Sequence, residues 1–262
     1  MTSPGPEPAP AGRVRVTWLG HAAVLIEIGR TRLLTDPLLR DRIGPLRRRR
    51  DLAPVGEVGP IDAVLLSHLH HDHADLPSLR RLGVPVLTEA DNAGWVRRRG
   101  VPAPGLDPAT WHPVSGEVEV RLVTAVHDSR PMPHRPNGAV GMLVRGSGVV
   151  VWFAGDTALH PGMAALPELA GAPVDLALLP VGGWGPRLSA GHMGPDQAAR
   201  AAELASAYSV VPIHYGTLHP AGWPANRLEW MTAPGERLPA ALAEHSSASA
   251  HVLDVGASLT LG

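Results

Sequence analysis

The most constraining feature of the sequence is a run of four histidines and two aspartates in residues 67–75, directly after the apolar segment DAVLLS (62–67). Alternate residues of an extended segment point the same way, so His68, His70 and Asp72 share one face, and His73 follows at a turn. Such crowding of imidazoles and a carboxylate is costly unless a cation offsets it. The run therefore favours a metal site over a solvated polar loop.

Three further apolar strands end in a potential metal ligand. His127 follows LVTAV, Asp156 follows VVVWFAG, and His214 follows SVVPI. Each residue alone is an ordinary polar group at a strand end. Because open α/β architectures gather such groups at one edge of their sheets, we expect all three to lie beside the histidine run.

The amino-acid composition narrows the chemistry available to such a site. The chain has no cysteine and no lysine, so thiolate nucleophiles, Cys-based zinc sites and Schiff-base chemistry are excluded. Fourteen histidines remain as ligand candidates. The formal net charge of −1 gives the molecule no general preference for nucleic acid or acidic membranes.

The sequence predicts a Pro/Gly-rich disordered tail at residues 1–12 and one domain at residues 13–262. Short strands fill both halves, with helices predicted at about 75–82, 91–98, 161–170, 195–207 and 236–244. This pattern indicates packed sheets covered by helices. We find neither a signal peptide nor an apolar run of the roughly 20 residues that span a bilayer, so we expect a cytoplasmic protein without membrane insertion.

Taken together, these residues resemble the metallo-β-lactamase superfamily. The resemblance rests on the HxHxDH motif that starts at His68, on the later His127, on Gly-Asp-Thr at 155–157 and on His214, and it covers about residues 14–220. It implies an α/β fold, the αββα sandwich, in which two mixed β-sheets are flanked by helices.

The resemblance also implies a dinuclear metal site. One ion would be held by His68, His70 and His127, and the other by Asp72, His73 and His214, with Asp156 bridging the two. These ligands favour zinc, with manganese or iron as alternatives. The implied reaction is hydrolysis by a hydroxide shared between the two ions.

Several shorter segments are similar to one branch of the superfamily, which contains N-acylphosphatidylethanolamine phospholipase D and ascorbate-6-phosphate lactonase. These segments are TWLGHA (17–22), LTDP (34–37), IDAV (61–64), HMGPD (192–196) and VPIH (211–214). We therefore expect cleavage of a phosphodiester or a phosphorylated lactone-like small molecule. The alternatives are a carboxylic ester, thioester or lactam hydrolase, a di-iron oxidoreductase, and a non-catalytic metal-binding protein.

We predict Asp72 and His192 as catalytic residues. His192 lies just before a helix start marked by Pro195, and the resemblance implies that it lies over the metals and assists the leaving group or binds the substrate. The alternative is a histidine of the capping region without a catalytic role. Arg187, Trp184 and Arg130 are the predicted contacts to an anionic substrate. For His21 we predict first an ordinary buried histidine and second a position near the site, which the resemblance implies; His71 is expected to point away from the ligand face.

An arginine-rich segment at residues 40–60, which includes Arg47 to Arg50, has three interpretations. We predict first a solvated loop, second a lid that recognises an anionic or phospholipid-like substrate, and third a nucleic-acid contact. Because aromatic residues make up only 4% of the chain, stacking platforms for nucleic acid are not expected.

Overall fold

The computed structural model describes residues 13–49, 58–127, 135–183, 185, 187–223 and 229–262, and the predicted tail at 1–12 lies outside them. Sixteen strands and five α-helices occur in this part of the chain. The strands are β1 (Val14–Gly20), β2 (Ala23–Ile28), β3 (Thr31–Thr35), β4 (Arg42–Ile43), β5 (Leu46–Arg48), β6 (Ala63–Leu65), β7 (Val86–Leu87), β8 (His112–Ser115), β9 (Val118–Thr124), β10 (Val140–Gly146), β11 (Val149–Phe153), β12 (Val174–Pro180), β13 (Ala207–Ile213), β14 (Leu218–Pro220), β15 (Ser249–Ala250) and β16 (Ser258–Leu261). The helices are α1 (Leu76–Leu82), α2 (Ala90–Arg97), α3 (Leu166–Ala170), α4 (Pro195–Leu204) and α5 (Glu229–His245).

Two mixed sheets form the centre of the molecule. The first has the order β16-β1-β2-β3-β6-β7, antiparallel up to β3 and parallel from β3 to β7. The second has the order β15-β13-β12-β11-β10-β9-β8, parallel from β15 to β11 and antiparallel from β11 to β8. In each sheet the parallel strands bring successive carboxyl ends to the same edge.

The two sheets share one hydrophobic core. Val16 and Ile26 from the first sheet lie in the same buried cluster as Met142 and Phe153 from the second. Along β6, Ala63 and Leu65 join this cluster, whereas Val64 and Leu66 on the opposite face join a second one with residues of α1 and α2. The other helices, α3 to α5, contact β12 or β13 on the second sheet. This arrangement is the αββα sandwich implied by the sequence, and the prediction of fold class is confirmed.

The predicted helix at 75–82 begins one residue later, because Asp75 is its N-cap and accepts hydrogen bonds from the backbone and hydroxyl of Ser78. The helix ends at Leu82 and is capped by Gly83, whose φ of 66° is favourable for glycine. The cap fixes the chain directly after the histidine run. It therefore helps to set the position of His73 relative to the first sheet.

The prediction that residues 40–60 form only a loop is wrong for their first part. Strands β4 and β5 form a hairpin that pairs with β14 in a three-stranded sheet. Arg48 is only 6% exposed and donates a hydrogen bond to the Leu19 carbonyl at 3.0 Å. The hairpin forms because Ile43 and Leu46 bury their side chains with Leu218 in a small core of their own. Residues 50–57 lie outside the described part.

Three predicted helix ranges also need correction. The segment at 161–170 is a 3₁₀ turn at Pro161–Ala165 followed by α3, the helix predicted at 195–207 ends at Leu204, and the one predicted at 236–244 spans Glu229–His245. None of the described helices has the length and hydropathy that a membrane crossing requires.

Candidate metal centre

The site lies where strands of both sheets end. Asp36 and His214 directly follow β3 and β13, whereas His68, His127 and Asp156 stand three residues beyond β6, β9 and β11. The pairs β3–β6 and β11–β13 run through parallel neighbours, and β9 runs in the same direction as β11 because both are antiparallel to β10. The expectation that these strand ends would gather at one edge therefore agrees with the topology.

The structure brings all seven predicted ligands together. His68, His70, His127 and Asp156 form one group whose ligand atoms all lie within 4.8 Å of one another. A second group within the same limit contains Asp72, His73, His214 and His21. Except for His70, which is partly buried, the predicted ligands are buried. The two groups divide the residues in the same way as the family resemblance implies.

Asp156 lies between the two groups. Its Oδ2 atom is 3.1 Å from His73 Nε2, 3.2 Å from His214 Nε2 and 3.8 Å from His68 Nε2. Burial alone would raise the pKa of Asp156, but His214 and His73 lower it well below the usual range. The carboxylate is therefore charged and faces imidazoles of both groups.

Four buried ligand atoms have no hydrogen-bond partner among the described residues: the Nε2 atoms of His68, His73 and His214, and Oδ1 of Asp156. Leaving a buried polar atom unsatisfied costs roughly 1–3 kcal/mol, so four in one place need an explanation. Convergent imidazole nitrogens and carboxylate oxygens are ligands that suit zinc. The residues fit a metal centre on this ground alone.

In His127 and His214 the Nδ1 atom makes a hydrogen bond to the backbone, and this bond orients the ring. His127 donates from Nδ1 to the Gly191 carbonyl, and His214 donates from Nδ1 to the Gly182 carbonyl, each at 3.0 Å. A histidine whose Nδ1 carries the proton presents the lone pair of Nε2. Both rings are therefore fixed in the tautomer that a metal ligand needs.

Asp36 orients two further histidines, His73 directly and His68 through the Ser67 hydroxyl. Its Oδ2 accepts a hydrogen bond from His73 Nδ1 at 2.6 Å and another from the Ser67 hydroxyl at 2.5 Å. Because that hydroxyl gives its proton to Asp36, its oxygen is left to accept from His68 Nδ1 at 2.9 Å. One fully buried carboxylate thus orients one histidine of each group. No role was predicted for it, although it lies in the LTDP segment.

His21 is the second residue outside the predicted ligand set that contacts the site. It is buried and satisfied, as expected, but its partner is Asp72, whose Oδ2 lies 2.8 Å from His21 Nε2. Burial and the nearby His214 lower the pKa of His21 to about 4, so the ring is neutral and donates to Asp72. His21 therefore holds one of the predicted ligands in place.

His192 lies at the mouth of the site, on the loop before α4. Its Nε2 is 3.3 Å from Asp156 Oδ2, and its Nδ1 is 3.0 Å from the Ser189 hydroxyl. Burial lowers the pKa of His192, but the hydrogen bond to Asp156 raises it above the ordinary value overall. The predicted position of this histidine beside the ligand cluster agrees with the structure.

A cavity of about 470 Å³ opens above these residues. His70, Asp72, Asp156 and His192 are among its polar lining residues, and the β4–β5 hairpin supplies an apolar wall. That wall consists of Ile43, Gly44, Pro45 and Leu46. Sequence reasoning ranked a substrate-recognising lid second for this segment, and that interpretation stays a prediction.

The residues predicted to contact the substrate are not among the described residues that line this cavity. Arg187 is exposed and does not line this cavity in the part of the chain that the structure describes. Trp184 and Arg130 lie outside the described residues. His71, predicted to point away from the ligand face, is exposed, and it lines the cavity from the side.

Chelation of bound metal is expected to lower the melting temperature by about 10 °C. A ligand present at a thousand times its Kd stabilises the folded state by about 4 kcal/mol, and each kcal/mol corresponds to about 2–4 °C in a chain of this size. Calorimetry before and after chelation tests this, with zinc added back as the control. An unchanged melting temperature after verified metal removal would contradict the assignment of the centre.

Comparisons with known proteins agree with this architecture. The family model described as "Beta-lactamase superfamily domain" matches residues 31–215. A UPF0173 metal-dependent hydrolase from Pyrococcus furiosus is 35% identical over 219 residues, which cover 79% of this chain and 87% of the relative.

Solved structures show the same fold. A metallo hydrolase from Ignicoccus hospitalis superposes with a TM-score of 0.74 at 22% identity, covering 95% of this chain and 99% of that one. The diiron β-hydroxylase CmlA from Streptomyces venezuelae has a TM-score of 0.71 at 19% identity, covering 99% of this chain and 55% of that one. At these identities the likeness concerns the fold alone.

Proposed function

The chain belongs to the metallo-β-lactamase superfamily of metal-dependent hydrolases, and from that premise we propose that it binds two divalent ions and cleaves a phosphodiester or a phosphorylated lactone-like small molecule. The observation that carries the proposal is the meeting of two ligand groups at Asp156, beneath a cavity that His192 lines. The narrower branch assignment stays a prediction, because the comparisons match the superfamily as a whole.

We assign the seven predicted ligands to two ions, with Asp156 shared between them. The ligand set consists of nitrogen and oxygen donors only, which favours zinc and leaves manganese and iron as alternatives. When bound, two such ions lower the pKa of a water molecule and polarise the P=O or C=O group of a substrate. The protein supplies the rest: Asp36 and His21 keep the ligands oriented, and the cavity holds the substrate.

His192 is proposed to place a proton on the leaving group. Its Nε2 faces the cavity from beside Asp156, and its Nδ1 is held by Ser189, so the ring cannot turn freely. A leaving oxygen bound in the cavity would lie within reach of the Nε2 proton. Such general-acid assistance is worth about 10²–10⁴-fold in rate.

His192→Gln is therefore expected to lower kcat by about 10²–10⁴-fold while the metal content stays at two ions per chain. Steady-state kinetics and elemental analysis of the same preparation measure both quantities. His245→Gln, near the end of α5, is the matched control and should leave both unchanged. A large loss of metal in His192→Gln would instead make this residue a ligand.

The proposed substrate class is tested with bis-p-nitrophenyl phosphate. Purified protein reconstituted with zinc or manganese should release p-nitrophenol, and Asp72→Ala should not. If both metals bind and no phosphodiester is cleaved, the phosphodiester half of the proposal is wrong.

A second candidate is hydrolysis of a carboxylic ester, thioester or lactam at the same site. It is favoured by the apolar wall of Ile43, Pro45 and Leu46, which suits an organic acyl group better than a bare phosphate. p-Nitrophenyl acetate reports this activity with the same chromophore. In both cases the expected substrate is a small molecule.

A further inference from the structure

A second cavity of about 350 Å³ adjoins the one above the metal ligands. The two share three lining residues, Ile43, Gly44 and His71. The second cavity extends from them toward the N-terminus of α1, where it reaches Trp95 and Arg135. A substrate lying over the metal centre can therefore extend a side group into this space.

Arg135 is an unusual residue for such a place. It is only 5% exposed, and within the described part of the chain no carboxylate pairs with it. Its Nε and Nη1 atoms are buried and have no hydrogen-bond acceptor there. Burial and the neighbouring Arg99 lower the pKa of Arg135 to about 10, so the guanidinium is still charged at neutral pH.

A buried, unpaired guanidinium is costly, and the contacts seen here offset only part of that cost. Arg135 lies over the Trp95 ring with its Cζ atom 4.2 Å from the ring centroid, an interaction worth about 0.5–2 kcal/mol. Arg99 lies over the same ring at 3.5 Å, which adds repulsion. Stacking uses the face of a guanidinium, whereas its N–H groups bind anions along the edge.

The other charges of this cavity do not neutralise Arg135. Asp75 lines the cavity, but its carboxylate is held by two nitrogens of Arg40 and by Ser78. His71, which also lines it, is exposed and supplies no carboxylate. Among the described residues that line the cavity, no carboxylate is therefore left to pair with Arg135.

We propose that the cavity at Arg135 is a subsite for an anionic group of the substrate, a carboxylate or a phosphate separate from the bond that is cleaved. This inference rests on the proposed hydrolase function and narrows its substrate class. It favours a small ester or lactone that carries a remote anionic group over a simple phosphodiester.

Binding is tested on the zinc-loaded protein with sulfate as the probe. The ¹⁵N–¹H signal of Arg135 Nε, assigned with Arg135→Lys, should shift saturably with a Kd of about 1–10 mM, as one or two charge-assisted hydrogen bonds would give. Arg99→Gln is the matched control, since Arg99 stacks on the same indole but does not line the cavity, and it should keep the shift. No saturable shift of Arg135 would overturn the proposal.

Specificity is tested with two esters that share one leaving group, p-nitrophenyl acetate and mono-p-nitrophenyl glutarate. Arg135→Gln should raise KM for the anionic ester about 10–100-fold more than KM for the neutral one, and Arg135→Lys should restore part of the difference. Arg99→Gln should leave the ratio of the two KM values unchanged. Equal losses on both esters would show a structural role for Arg135 and contradict the subsite.

The hydrolase function and the anionic subsite at Arg135 are tested by different outcomes. Saturable sulfate binding at Arg135 without turnover of either ester supports the subsite and counts against ester hydrolysis. Turnover of both esters with no response of Arg135 to sulfate and no change in the KM ratio leaves the hydrolase intact and overturns the subsite. Arg135→Met should also raise the melting temperature, because it removes an unpaired buried charge.

Discussion

Asp156→Asn is expected to reduce hydrolysis by at least about 10³-fold and to leave fewer than two metal ions bound per chain. Asp156 contributes the carboxylate that both ligand groups face, 3.1 Å from His73 Nε2 and 3.2 Å from His214 Nε2. Asparagine has the same shape as aspartate but no negative charge. Its amide N–H groups would also point toward the imidazole lone pairs that are proposed to bind the metal ions. Elemental analysis and kcat on one preparation measure the two effects.

The control for this variant is Asp254→Asn, which makes the same chemical change at an exposed position near the end of the chain. It should retain full metal content and activity. If Asp156→Asn kept two ions and turned over at a rate within a few-fold of the parent protein, the shared role of Asp156 would be wrong.

Asp36→Asn is expected to weaken metal binding about 10–100-fold although Asp36 lies outside both ligand groups of the proposed site. Its Oδ2 atom accepts from His73 and Ser67, and its Oδ1 atom accepts from the backbone N–H of Ser67 at 2.8 Å. An amide has one oxygen for these three donors, so at least one buried donor loses its acceptor at a cost of roughly 1–3 kcal/mol. Asparagine tolerates the positive φ of 30° at this position, so the backbone itself is not strained.

Competition with a chromogenic zinc chelator measures the affinity, and thermal unfolding of the metal-free protein measures the stability. Asp175→Asn is the matched control, because Asp175 also accepts a backbone N–H bond, from Val150 at 2.7 Å, but lies within β12 away from the site. Loss of stability in both variants with loss of zinc affinity in neither would show that Asp36 serves the fold alone.

The residues of the two ligand groups could be identified as candidates from the sequence because their pattern is local. His68 to His73 stand in one short run, and the distant His127, Asp156 and His214 each follow an apolar strand that is recognisable by itself. The residues that orient them could not be predicted in this way. Asp36 and His21 are single polar residues at strand ends, and only the pairing of β3 with β6 and the turn after β1 bring them to His73 and Asp72.

The errors in the predicted elements have a similar origin. The segment of the β4–β5 hairpin looks like a polar loop because four consecutive arginines start at Arg47, yet the hairpin forms by pairing with β14, about 170 residues later in the chain. Helix α5 begins at Glu229, seven residues before its predicted start, although Pro234 lies inside this added part, and its buried face is formed by Met231, Leu238 and Leu242. In both cases tertiary packing overrode a local preference.

Each ligand group draws on both sheets of the sandwich. In one group, His68 and His70 follow a strand of the first sheet, whereas His127 and Asp156 follow strands of the second. In the other group, Asp72 and His73 follow the same strand of the first sheet, whereas His214 follows a strand of the second. An ion in either group would therefore act as a cross-link between the two layers, at one end of a shared core that is mostly apolar. Assembly of the catalytic centre and closure of the sandwich would then be one event, so a chain whose layers had not yet docked would be unable to carry out hydrolysis.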